Sequence, residues 1–186
     1  MSDQDVRAFV ALELEPAVRE RLARAVAEAA VGIPGLRLVA ADNIHLTLRF
    51  LGPSQLRQLQ SLEPVLETAA REYPPMTARL GGAGVFPERG SPNVLWVGLR
   101  TEPDVEPLQQ ACERAARAAG FAAERRPFRP HVTVGRFRER LRERPALPAL
   151  ELGETALERL VLFQSELHPE RARHTPLASF TLSGRS

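Results

Sequence analysis

The chain has 186 residues, of which 44% are hydrophobic and 26% charged, the make-up of a folded globular protein and not of a disordered or fibrous one. Its formal charge is only +2, but all 25 basic residues are arginine, which carries the isoelectric point to about 9.4. The opening MSDQDVRAFVALELEP lacks a basic segment followed by a long apolar run, and no stretch approaches the roughly 20 apolar residues of a membrane span. These features lead us to expect a cytoplasmic monomer with no membrane association and no obligate protein partner. The lone cysteine, Cys112, has no partner for an internal disulfide and reads as a small apolar helix residue.

In chain order, RAFVALEL (7–14) has the unbroken apolar character of a buried strand, and Pro16 opens a helix over AVRERLARAVAEAA (17–30). Gly32, Pro34 and Gly35 end that helix, LRLVA (36–40) reads as a short strand, and Asp42 and Asn43 turn the chain into the strand IHLTLRFL (44–51). Gly52 and Pro53 are expected to stop it. Residues 54–73 have helical spacing, with Pro64 expected to kink or break the helix. TARLGGAGVF (77–86) and NVLWVGL (93–99) read as strands joined through PERGSP, and 105–120 as a helix ended by Gly120. RPHVTVGRF (129–137), LERLVLFQSEL (157–167) and PLASFTLSG (176–184) are β-prone, whereas 142–154 reads as an irregular connection.

The segments HLTL (45–48) and HVTV (131–134) repeat one pattern 86 residues apart, in a chain with four histidines. On a strand, His45 and Thr47 share one face and Leu46 and Leu48 the other; His131 and Thr133 stand likewise against Val132 and Val134. One copy would be weak evidence, but two put imidazoles on a polar face twice, where an apolar strand gains nothing from them. The fold class expected is α+β: a single domain over 1–186 made of two similar, pseudo-symmetric lobes. Each lobe has an antiparallel sheet, outer helices and one His-x-Thr-x motif, and the active-site groove runs between the sheets.

Two histidines facing one cleft suit an in-line phosphoryl displacement, one taking a proton from the attacking oxygen and the other protonating the leaving oxygen. Thr47 and Thr133 on the same faces can donate to nonbridging phosphate oxygens. The scheme needs no metal and no cofactor, and neither motif has an acidic residue on its His/Thr face. Residues 124–144 hold eight arginines against three glutamates, a basic field suited to an anionic substrate. Arg49, four residues after His45, has the parity to face the groove. Arg136, five after His131, has the wrong parity unless Gly135 admits a bulge. Arg138, Arg140, Arg142 and Arg144 read as a solvated face, His168 and His174 as loop or surface residues, and Phe9, Phe50, Phe86, Trp96, Phe128 and Phe163 as core, one or two of them open to stacking on a base at the groove rim.

The duplicated motif and its surrounding words, RAFVALEL, IHLTLRFLG, GVFP with VLWVGL, FRPHVTVGRF and LFQSEL, resemble the 2H phosphoesterase superfamily. Within it the chain is most similar to the RNA 2′,3′-cyclic phosphodiesterases, also called 2′-5′ RNA ligases. The resemblance implies catalytic His45 and His131, phosphate contacts from Thr47, Thr133 and Arg136, and RNA ends or cyclic nucleotides as substrate. It implies hydrolysis of a 2′,3′-cyclic phosphate to a 2′-phosphomonoester, with His131 as base and His45 as acid, although the near symmetry of the motifs also permits the reverse. Two other readings stand beside it: joining or cleaving 2′-5′ linkages, and a noncatalytic RNA-end or nucleotide binding module. Where members of the family often carry a tyrosine after the SEL word, this chain has His174, which stands as the candidate to replace any nucleotide contact made from that position.

Overall fold

Val6–Glu13 forms the first strand (β1), and its apolar run is buried on both faces. Val10 and Leu12 join the main core, while Phe9 and Ala11 pack with Val161 and Phe163 in a second, smaller cluster. In the computed structural model, residues 6–139, 141, 145, 150–168 and 172–185 are described. Pro16–Ala29 (α1) follows β1, then Leu36–Leu38 (β2), His45–Ser54 (β3) and Leu56–Glu72 (α2). Met76–Phe86 (β4) and Val94–Glu102 (β5) form a hairpin, succeeded by Glu106–Ala118 (α3) and His131–Phe137 (β6). Glu151–Leu157 (β7), Arg159–Leu167 (β8) and Ala172–Thr181 (β9) complete the described elements.

Each helix buries one stripe at helical spacing: Val18, Leu22 and Val26 in α1; Leu59, Leu62, Leu66, Ala69 and Ala70 in α2; Leu108, Cys112, Ala115 and Ala116 in α3. These side chains meet Leu46, Leu48, Val132 and Val134, so the helices cover the side of β3 and β6 that does not carry the histidines. Burial pushes the Cys112 thiol up to about 12, consistent with an apolar packing role. No described helix is long and apolar enough to cross a membrane.

The strands form an antiparallel sheet in the order β7-β4-β5-β6-β3-β1-β8-β9, with β2 added beside β6. Four strands lie on each side of the β6–β3 junction, and that junction is a single residue pair, Leu46 with Val132. The halves exchange strands: β4, which follows the first motif, pairs with β5 in the half that carries the second, and β8 crosses back to pair with β1. The two sheets anticipated from the pattern are thus one hydrogen-bonded sheet that narrows to one pair at its middle.

Three local expectations are corrected. β3 runs on through Gly52 and Pro53 to Ser54, because Gly52 takes φ +74° and the pairing with Val6, Arg7 and Ala8 continues across it. Pro64 does not break α2: Pro64 and Gln60 lie on the exposed face, so water can serve the carbonyl that a proline ring leaves without its helical donor. The connection expected over 142–154 contains β7, an edge strand paired only with β4 and poor in β-branched residues; residues 142–144 and 146–149 of that stretch lie outside the described residues.

Gly84 of β4 stands opposite Trp96 of β5, and a Cβ placed on it would fall 2.0 Å from the indole ring. Gly84→Ala is therefore expected to displace Trp96 and to lower stability by about 1–3 kcal/mol. The unfolding midpoint by calorimetry checks this, and an unchanged midpoint would show that the indole has room to move.

Candidate active site

Leu46 and Val132 face each other across antiparallel strands. One step in either direction along that register brings His45 level with Thr133 and Thr47 level with His131. The two motifs are thus related by a local pseudo-twofold axis, and their polar side chains share the face opposite the helices. A cavity of about 630 Å³ lies there, lined by His45, Thr47, Thr133, Arg136, His174 and Phe50, among others.

Just past each threonine the ladder slips by one residue. In β3, Thr47 pairs with Ala11 and Arg49 with Val10, leaving Leu48 as the extra residue; in β6, Thr133 pairs with Trp96 and Gly135 with Leu95, leaving Val134 as the extra. Such a bulge reverses the alternation downstream of it. Arg136, of wrong parity on a regular strand, is therefore turned into the cavity. By the same device Arg49 is turned out of it, which corrects the expectation from parity. Arg49 is 6% exposed, ion-paired with Glu113 of α3, and donates to the carbonyl oxygens of Phe50 and Ala122. Phe50 takes the groove-facing place and is 49% exposed, the aromatic most open to a base. Gly135 is tightly seated, since a Cβ there would meet Leu36 Cδ1 at 2.7 Å.

Each motif histidine is fixed by a hydrogen bond to the backbone two residues upstream and by an aromatic wall. His131 Nδ1 donates to the Arg129 carbonyl oxygen at 2.6 Å, which leaves Nε2 as the free acceptor. Phe86 meets its ring edge-on at 5.1 Å and Trp96 at 6.2 Å. His45 bonds the backbone of Asn43, stacks on Phe9 at 4.7 Å, and meets His174 edge-on at 5.3 Å. Burial, then the neighbouring His174, Arg136 and Arg19 charges, lower the His45 pKa to about 3 against the upward pull of the Asn43 bond. Burial also lowers His131 and His174, the latter with help from Arg136. All three shifts favour the neutral imidazole.

His174 is the residue that sequence reasoning misplaced. It lies on β9 opposite Ser165, lines the cavity, and meets Phe9 edge-on at 5.0 Å. The signal was there: β9 begins at Ala172, so extending the apolar strand back from Pro176 by period 2 places His174 on a sheet face. His168 is exposed beside Glu166, as a surface residue should be. In the arginine-rich segment Arg126 pairs with Glu124 at 2.8 Å and Arg138 is exposed, while Arg140, Arg142 and Arg144 lie outside the described residues. Among the described residues no group of three or more His, Cys, Asp or Glu is placed to hold a metal ion.

Comparison with known proteins gives the family of the chain. Residues 18–173 match the family model of the 2′-5′ RNA ligase superfamily. An RNA 2′,3′-cyclic phosphodiesterase from Methanothermobacter thermautotrophicus is 31% identical over 95% of this chain and 99% of its own. Among solved structures, TT0787 of Thermus thermophilus superposes with a TM-score of 0.84 at 29% identity, covering 97% of this chain and all of that one. E. coli LigT complexed with 3′-AMP gives 0.83 at 28% identity, covering 96% of this chain and 99% of its own.

Two outcomes follow for stability. Arg49→Ala strands the Glu113 carboxylate against the core and is expected to cost about 3–5 kcal/mol, with Arg49→Met combined with Glu113→Leu recovering most of it in denaturant melts. His45 is held neutral when folded, with a pKa of about 3, but titrates near 6.5 when unfolded, so stability is full above pH 6.5 and falls as pH drops toward 3. His45→Gln is expected to flatten that fall, read as the unfolding midpoint between pH 4 and 7.

Proposed function

Because the chain belongs to the 2′-5′ RNA ligase superfamily, we propose that it hydrolyses 2′,3′-cyclic phosphate ends of RNA to 2′-phosphomonoesters with His45 and His131 as its acid–base pair. The observation that supports this reading is the antiparallel register that sets each motif histidine level with the other motif's threonine, with His45, Thr47 and Thr133 lining one cavity. The names of the relatives and the 3′-AMP complex of LigT support an RNA end as the substrate.

In this reading His131 is the base. Its Nδ1 proton is committed to the Arg129 carbonyl, so the Nε2 lone pair takes a proton from water as the water oxygen bonds to phosphorus. The bond from phosphorus to the 3′ oxygen breaks, and His45 delivers a proton to that oxygen, leaving a 3′ hydroxyl and a 2′-phosphate. Burial, then the charges of His174, Arg136 and Arg19, disfavour the protonated form of His45. A phosphate anion beside it acts in the opposite sense, favouring the imidazolium that donates the proton. Thr47, Thr133 and Arg136 donate to the nonbridging oxygens, where negative charge grows in the transition state. Side chains alone supply every step, and the protein acts as a cytoplasmic monomer.

The test is turnover of an oligoribonucleotide ending in a 2′,3′-cyclic phosphate, in chelator, with identification of the product. Wild type is expected to give the 2′-monoester, and His45→Ala and His131→Ala each to lower kcat by about 100- to 10,000-fold. Joining of the cyclic end to a 5′-hydroxyl RNA would instead assign ligation, and salt-sensitive binding by folded protein without turnover would assign a binding module.

A further inference from the structure

Arg37 of β2 and Arg136 of β6 are direct cross-strand partners. Both line the cavity, and among the described residues neither has an ion pair, in contrast to Arg49, Arg79, Arg126 and Arg129. Like charges directly opposite on adjacent strands destabilise a sheet. Nor is the pair free to splay, because β2 is pinned to β6 beyond both of its ends: Val39 N–H donates to the Val134 carbonyl at 2.9 Å and Arg138 N–H to that of Gly35 at 3.0 Å. The fold thus fixes two unpaired cations side by side in the groove wall. The arrangement repels itself when empty and suits a ligand that brings more than one negative charge.

Resting on the reading above, in which Arg136 holds the scissile phosphate beside His45, we propose that Arg37 holds the next phosphodiester, the one joining the terminal nucleotide to its neighbour. Leu38, Val39 and Ala40 continue the cavity wall from Arg37, and Leu38 is 39% exposed there, an apolar surface for the sugar between two phosphates. The groove then selects the end of an RNA chain over a free nucleoside 2′,3′-cyclic phosphate, which lacks that second phosphate. Arg37 is a substrate-binding residue and takes no part in proton transfer.

The experiment compares wild type, Arg37→Ala and Arg37→Lys on a dinucleotide ending in a 2′,3′-cyclic phosphate and on a nucleoside 2′,3′-cyclic phosphate without a 5′-phosphate. Arg37→Ala is expected to lower kcat/KM about 10- to 100-fold on the dinucleotide and less than about threefold on the nucleoside, with partial recovery in Arg37→Lys. Its unfolding midpoint is expected to stay level or rise, because a repulsion is removed. Equal losses on both substrates, or no loss on either, would overturn the assignment. The same three proteins are titrated with a 2′-phosphate-ended dinucleotide and with a nucleoside 2′-phosphate. If wild type turns over neither cyclic substrate, the hydrolase reading fails, while Arg37 is still judged by whether its loss weakens Kd for the dinucleotide alone.

Discussion

The site depends on one backbone pairing. Leu46 and Val132 are fully buried residues on the helix side of the sheet, and their antiparallel register is the only strand pairing between β3 and β6 among the described residues. Burial makes that register hard to change, since a slip of one residue in either strand would carry its two leucines or two valines out of the core and its histidine into it. The free energy that fixes the geometry of the two motifs therefore comes from apolar packing on the face away from the histidines. The polar face makes no such demand on its own side chains and is left free to hold both motif histidines by hydrogen bonds to backbone.

The bulges after Thr47 and Thr133 divide the two halves into different roles. The same slip in both copies exchanges which side chain reaches the groove: position 49 and position 135 go to the core, position 50 and position 136 to the cavity. In the first copy this gives a buried ion pair with α3 and an open aromatic ring; in the second it gives a tightly packed glycine and a cation. A symmetric backbone thus yields an asymmetric site, as the proposed reaction, with distinct entering and leaving oxygens, requires. The aromatic surroundings differ as well, with Phe9, Phe163 and His174 around His45 and Phe86 and Trp96 around His131.

Much of this was legible in the sequence because period and composition agreed. β1, β3, β5 and β6 and all three helices lie where the apolar spacing puts them, and the paired motifs fall on neighbouring strands. What escaped was set by pairing and not by pattern. A bulge depends on which residue of the neighbouring strand sits opposite, so Arg49 and Arg136 were judged against a regular alternation that the ladder does not keep. β7 has one neighbour among the described residues and carries Gly153 as its third residue, leaving little β-propensity to detect. His174 became part of the groove only through β8, which brings the end of the chain back beside β1. Arg37 belongs to a three-residue strand whose importance lies wholly in the residue across from it.

The Gly84 vacancy that accommodates Trp96 has one more consequence. Trp96 is the chain's single tryptophan, and its ring stands 6.2 Å from that of His131, whereas phenylalanine walls His45. A protonated imidazole accepts excited-state electron density from a nearby indole far better than a neutral one does. The molecule therefore carries an intrinsic optical reporter for the charge on one histidine of the pair, while the other is spectroscopically silent. Emission intensity can follow the proton at His131, without a label and without a mutation in the site.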